Sequence, residues 1–253
     1  MTRLDAIQQH FRTLRMPTAV QIVEETIATA QKENWSFETF LDELLEQEME
    51  GRHQRRIDRL KKGAYLPVEK TLAAFDQDRL PLQTRRLLEQ LCTGEFVDRT
   101  ENLLVFGLPG RGKTHFAAAV GHELVNIGRS VLFTPTYRLV DALLRARRDL
   151  SLEYELRRLD RFEVLILDDI GYVQQSRDEM EVLFTLLAER YERRSVVITS
   201  NLVFSQWNQI FKDPMTTAAA IDRVVHHSII VEFGKEMSSH RADQAALRHQ
   251  EAP

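Results

Sequence analysis

The stretch that decides the fold is Leu103-Leu104-Val105-Phe106-Gly107-Leu108-Pro109-Gly110-Arg111-Gly112-Lys113-Thr114-His115-Phe116. Residues 107–114 fit the pattern G-x-x-x-x-G-K-[ST] without a mismatch. An apolar run precedes the glycines, and a helix-forming stretch around Ala117, Ala118, Ala119 and Val120 follows them. Gly107, Gly110 and Gly112 let the backbone curl so that successive N–H groups face an anion. The start of the helix adds the positive end of its dipole. Lys113 can then reach the β- and γ-phosphates of ATP, while the Thr114 hydroxyl can coordinate Mg²⁺. Pro109, Arg111 and His115 complete the candidate nucleotide-binding residues of the loop.

Downstream, short apolar runs alternate with amphipathic helix patterns. The candidate strands are 103–106, 130–134, 164–167, 196–200 and 229–233. Helices are expected at 114–127, 137–148, 152–161, 178–193 and 216–225, and Ser176 with Glu179 forms a capping box at the start of the fourth. Unbroken apolar strands alternating with helices predict an α/β domain with a parallel sheet. The run Val164-Leu165-Ile166-Leu167 ends in Asp168 and Asp169. Asp168 is a candidate Mg²⁺ ligand and Asp169 a candidate for orienting the attacking water. Asn201 leaves the next apolar strand. It either hydrogen-bonds the water or the γ-phosphate, or simply closes the strand as a turn residue.

Upstream, residues 1–65 show helical periodicity and no strand signal. Leu4, Ile7, Phe11 and Leu14 repeat up to Pro17, and Ser36 is a candidate N-cap for a third helix ending at Gly63. Its later half carries Arg52, Arg55, Arg56, Arg59, Lys61 and Lys62. That run is either a solvated basic face or a stripe of phosphate contacts. Residues 66–81 carry few regular cues and read as a linker before the α/β domain at 82–253.

Composition narrows the classes. There are 38 acidic and 34 basic residues, a net charge of −4, so bulk charge does not drive nucleic-acid coating. Apolar residues make up 43%, an ordinary globular value. A single cysteine, Cys92, excludes a disulfide framework or cysteine zinc cluster. No apolar run approaches membrane-spanning length and the first residues lack a signal-peptide core, which points to a cytoplasmic protein with no membrane partner. His226 and His227 are adjacent; on a helix or strand they face different sides, so they make a poor metal pair and read as packing or hydrogen-bonding residues, with no metal site expected there.

Together these elements resemble the AAA+ ATPases of the DnaA/DnaC branch, and within it the IstB-type transposition helpers of insertion sequences. The resemblance is carried by residues 70–76, 107–114, 165–172, 190–193, 199–201, 204–207 and 221–228. It implies a P-loop domain with a five-stranded parallel sheet between helices, and an ATP-driven homo-oligomer that binds double-stranded DNA and works with a transposase. It implies that Arg223 acts as an arginine finger completing a neighbour's site, and that Phe75 flanks the adenine. The helical pair at 137–161 matches the region where this branch inserts a DNA-facing helix, which makes Arg145, Arg147 and Arg148 candidate phosphate contacts; ion pairing with nearby acids is the alternative. Ser239-His240-Arg241 departs from the family's Ser-Tyr-Arg, which leaves a nucleotide-sensing role for Arg241 open. A DnaC-like helicase loader and a non-hydrolysing scaffold are the other functions compatible with the same residues.

Overall fold

A computed structural model describes residues 2–172, 176–202 and 224–234. The chain divides into two compact units, Met1–Arg59 and Leu60–Pro253. Among the described residues no helix is long and apolar enough to cross a membrane.

The first unit holds helices α1 (Arg3–Thr13), α2 (Pro17–Glu33) and most of α3 (Phe37–Ala64). Thr2 and Asp5 form a reciprocal capping box on α1. Pro17 occupies the first turn of α2, as its missing N–H permits, but the preceding Met16 has no side-chain acceptor for the amides that follow. Glu48, from the middle of α3, supplies one. Its carboxylate accepts from the N–H groups of Thr18 at 2.8 Å and Ala19 at 3.0 Å. It also accepts from Arg52 Nε at 2.9 Å and Arg55 Nη2 at 3.1 Å, with its side chain only 3% exposed. Burial works to raise the Glu48 pKa, but these hydrogen bonds and the Arg55 charge outweigh it and hold the carboxyl below its usual value. Arg52 further donates to Arg15 O and Arg55 to Thr18 Oγ1. Ala19, Val23 and Leu44 centre a small apolar core, joined by Leu4, Ile7 and Phe11.

Ser36 caps α3 as expected, accepting from the Thr39 N–H at 3.1 Å. Gly63 does not end that helix. The helix continues through Ala64, and Tyr65 takes the left-handed conformation (φ 52°) that terminates it.

The second unit carries α4 (Leu82–Cys92) and α5 (Glu95–Asp98), then β1 (Asn102–Gly107), α6 (Lys113–Asn126), β2 (Val131–Pro135), α7 (Thr136–Arg148), α8 (Leu152–Leu159), β3 (Val164–Asp168), α9 (Arg177–Arg190), β4 (Ser195–Ser200) and β5 (Ser228–Phe233). All five expected strands form, and Ser176 and Glu179 make the expected capping box. The helices expected at 152–161 and 178–193 stop at Leu159 and Arg190; of 216–225 only the last two residues are described. The sheet is parallel throughout, in the order β2-β3-β4-β1-β5. Although the inner strands read as unbroken apolar runs, alternate residues feed two cores. Leu104, Phe106, Leu165, Leu167, Val196 and Ile198 pack towards α7 and α9. Leu103, Val105, Val164, Ile166 and Val197 pack towards α4 and α6. Leu66, Leu72 and Phe75, from the segment between the units' regular elements, lie against this second core.

At the N-terminal ends of the strands, Arg190 and Asn102 bond chiefly to main-chain atoms. Arg190, 2% exposed, donates to the carbonyls of Leu159 (3.1 Å), Phe162 (3.0 Å), Glu163 (3.2 Å) and Ser195 (3.1 Å). Burial pushes its guanidinium down to about 9, so it stays charged at neutral pH. Asn102 bonds through its backbone N–H to His227 O (2.7 Å), through Nδ2 to Val224 O (3.2 Å), and through Oδ1 to the Val196 N–H (2.9 Å).

Candidate nucleotide-binding site

The strand order brings the site residues to one rim. Phe106 pairs with Ser200 across β1 and β4, and Leu167 with Ile198 across β3 and β4. The glycine loop after β1, the Asp168–Asp169 pair after β3 and Asn201 after β4 therefore emerge side by side at the carboxyl ends of the strands, where open α/β sheets place their ligand crevices.

Gly110 (φ 81°) and Gly112 (φ 93°) adopt left-handed backbone, which gives the loop its curl without the Cβ penalty. Gly107 is needed for closeness: a Cβ there would meet Phe233 Cβ at 2.7 Å and Phe233 O at 2.8 Å. Lys113, 9% exposed, opens α6 and donates from Nζ to Leu108 O at 3.0 Å, so its ammonium lies folded over its own loop. His115, one turn in, faces back. Its Nε2 is 3.0 Å from Thr71 O, and because a carbonyl can only accept, Nε2 carries the proton. The His115 ring meets Phe75 edge-on at 4.9 Å, and Phe75 meets Phe116 at 6.1 Å, which in turn meets Phe233 at 5.5 Å. This aromatic chain walls the loop on the side of Gly112, whose added Cβ would lie 3.5 Å from Phe75.

Thr199 links the acidic pair to β4. Its hydroxyl donates to Asp168 Oδ1 at 2.7 Å and accepts the Asp169 N–H at 2.8 Å. Asp169 itself takes left-handed backbone (φ 60°), an uncommon conformation for a non-glycine residue, held by that bond. Asn201 Oδ1 is buried without a hydrogen-bond partner among the described residues, and it lies so close to Gly171 that a Cβ there would collide with it. A glycine cradle, a lysine within the loop, and hydroxyl, carboxylate and amide groups converging beside it form a donor set that fits a nucleotide phosphate chain and a hard divalent cation.

Thr199, Phe233 and the Leu108 carbonyl were not singled out by role from the sequence. A polar threonine two residues before Asn201 in an otherwise apolar strand is the signal for the first; a carbonyl acceptor leaves none. Arg223 and Arg241 lie outside the described residues. Of the candidate phosphate-contact arginines, Arg52 and Arg55 are engaged with Glu48, Arg59 donates to Arg55 O, and Arg56 lies exposed on the same helix. Arg147 bonds Glu181 at 3.0 Å and Arg145 bonds Asp141 O, whereas Arg148 is exposed and makes no ion pair among the described residues. His226 and His227 do not face different sides. They lie in a turn, with ring centroids 4.3 Å apart.

Comparison with known proteins gives one picture. The chain is 42% identical over 241 residues, 95% of its length and 81% of the relative's, to a protein named putative insertion sequence ATP-binding protein from Sinorhizobium fredii. A solved DnaI structure, 23% identical, superposes with a TM-score of 0.56 over 67% of this chain and 95% of that one. AMPPCP-bound DnaA from Aquifex aeolicus, 17% identical, gives 0.55 over 72% of this chain and 56% of that one. Both likenesses concern the fold alone. The family model for IstB-like ATP binding proteins matches residues 9–246, nearly the whole chain, so this chain belongs to the IstB-like ATP-binding family.

Proposed function

We propose that this chain is an ATP-hydrolysing, DNA-binding helper of an insertion sequence, assembling as a homo-oligomer on duplex DNA in the cytoplasm and acting with a transposase. The observation that supports the ATPase reading best is the bonded unit of Asp168, Thr199 and Asp169 beside the glycine loop. The name of the Sinorhizobium relative supports the link to an insertion sequence. In this reading the loop amides and Lys113 bind the phosphates of ATP, Lys113 exchanging the Leu108 carbonyl for phosphate oxygen. Thr114 and Asp168 would hold Mg²⁺, which when bound neutralises phosphate charge. Thr199 keeps Asp168 in its rotamer while Asp169 accepts a hydrogen bond from the attacking water and Asn201 reads the water or the γ-phosphate. Phe75 flanks the adenine, and Arg223 completes the site of a neighbouring copy. Exposed Arg56 and Arg148, with Arg145 and Arg59, offer phosphate contacts to duplex DNA.

The test is a set of single substitutions read by nucleotide binding and phosphate release. Lys113→Ala should weaken ATP at least tenfold, about 1.4 kcal/mol or more. Asp169→Asn should bind ATP and turn it over slowly. Arg223→Ala alone should be inactive yet recover turnover when mixed with Lys113→Ala, since each supplies the half-site the other lacks. Unchanged affinity in Lys113→Ala refutes the loop assignment, and no recovery at any mixing ratio refutes a shared site.

A further inference from the structure

At the opposite rim of the sheet, Glu192, His226 and His227 form a cluster that the nucleotide chemistry does not use. Glu192 follows α9 in a left-handed backbone conformation (φ 55°), and the two histidines occupy the turn that leads into β5. Because that segment is a turn, the adjacent rings are brought to one side, 4.3 Å apart and nearly perpendicular (78°). Each of the three residues offers a donor atom, and the donor atoms lie within 4.8 Å of one another.

We propose that Glu192, His226 and His227 bind a Zn²⁺-class transition-metal ion with three protein ligands and an open position for water. Two imidazoles and one carboxylate are a ligand set that zinc takes in three-ligand sites. Zinc bonds of about 2.0–2.1 Å in tetrahedral geometry require donor separations of roughly 3.3–3.5 Å. The Glu192 Oε1–His227 Nε2 distance is already 3.4 Å. His226 also has an outer partner: Tyr191 Oη lies 3.3 Å from its Nδ1. An Nδ1–H donating to that hydroxyl fixes the tautomer that leaves Nε2 for a metal, the usual second contact of a ligating histidine. The site is exposed, so ions have direct access, with the His227 and Glu192 side chains 47% and 56% exposed. A bound ion would fasten the end of α9 to the turn that Asn102 holds from the other side.

The experiment uses the full chain without nucleotide, in excess Mg²⁺ to occupy hard-cation sites. Zn²⁺ is titrated calorimetrically, and Co²⁺ serves as a visible-spectrum reporter of low-coordinate geometry. One saturable Zn²⁺ per chain is expected, with intense Co²⁺ d–d bands. Glu192→Gln, His226→Gln and His227→Gln should each weaken Zn²⁺ at least tenfold, whereas Thr114→Ala should not. In the wild type Zn²⁺ should raise the unfolding midpoint, and in the three variants it should not. The variants replace exposed side chains, and thermal unfolding without metal verifies that they are folded. Absence of saturable binding, or unchanged Zn²⁺ affinity in any one of the three variants, overturns the proposal. Because nothing in this assay requires ATP, its failure leaves the nucleotide reading untouched.

Discussion

The two ends of the five-stranded sheet treat their polar groups in opposite ways. At the amino ends, Arg190 gives its guanidinium to four backbone carbonyls, and Asn102 makes three bonds to main-chain atoms. At the carboxyl ends, Lys113 is folded onto a loop carbonyl and a buried amide oxygen of Asn201 has no partner among the described residues. A polar group spread over several backbone carbonyls stabilises the fold and cannot give all of them up cheaply for a ligand. An ammonium folded onto a loop carbonyl can trade that contact for a phosphate oxygen at little net cost. The difference separates structural arginines and asparagines from chemical ones more reliably than residue type does. The helical unit repeats the first case, with Arg52 and Arg55 completing the coordination of a buried carboxylate.

This contrast can be broken at its strongest point first. Arg190→Met should leave four buried carbonyls short of a donor and cost about 3 kcal/mol or more of unfolding free energy by denaturant titration. Nucleotide affinity of the folded fraction should be unaltered; a variant that folds normally but loses ATP would mean the amino rim is not merely structural. Next is Glu48. Its folded pKa lies below the ordinary 4.5, so its contribution is complete above that pH and is lost as pH falls through the folded value. Glu48→Gln should cost about 1–2 kcal/mol at neutral pH. It should also flatten the acid dependence of helix content below the ordinary carboxyl range, measured by circular dichroism. Identical acid profiles for the two proteins would show that the carboxylate is not what holds α2. The smallest stability effect belongs to Thr199→Val, about 1 kcal/mol. There the sharper readout is phosphate release, which should drop while ATP binding persists. If only stability falls, Thr199 belongs with Arg190 and not with Lys113.

Much of the α/β unit was legible because buried parallel strands announce themselves as unbroken apolar runs, and 164–167 and 196–200 did so. The helices α4 and α5 were not, since neither has a side-chain cap to mark its start and α5 is a single turn. The loop could be read residue by residue, because its glycines and lysine answer to one chemistry. Contacts through carbonyls, such as Leu108 to Lys113 or Thr71 to His115, have no side-chain signature. Charge density at 52–62 concealed the roles of Arg52 and Arg55, because the partner, Glu48, is an acid whose burial no local pattern announces. The facing of the histidine pair was not legible for a related reason: the periodicity of a helix or strand does not apply to residues that lie in a turn, although both residues do hydrogen-bond or pack.

Gly107 has one more consequence, for the reading of mutants. Its Cα lies against the backbone and Cβ of Phe233, on the edge strand β5, with no space for even a methyl group. Any replacement must first displace β5 from β1 at the end where the loop begins. A Gly107→Ala protein that fails to bind nucleotide would therefore say nothing about whether this glycine approaches a phosphate. Two separate demands, one from the architecture and one from the ligand, converge on a single residue, and a substitution at Lys113 interrogates the second without disturbing the first.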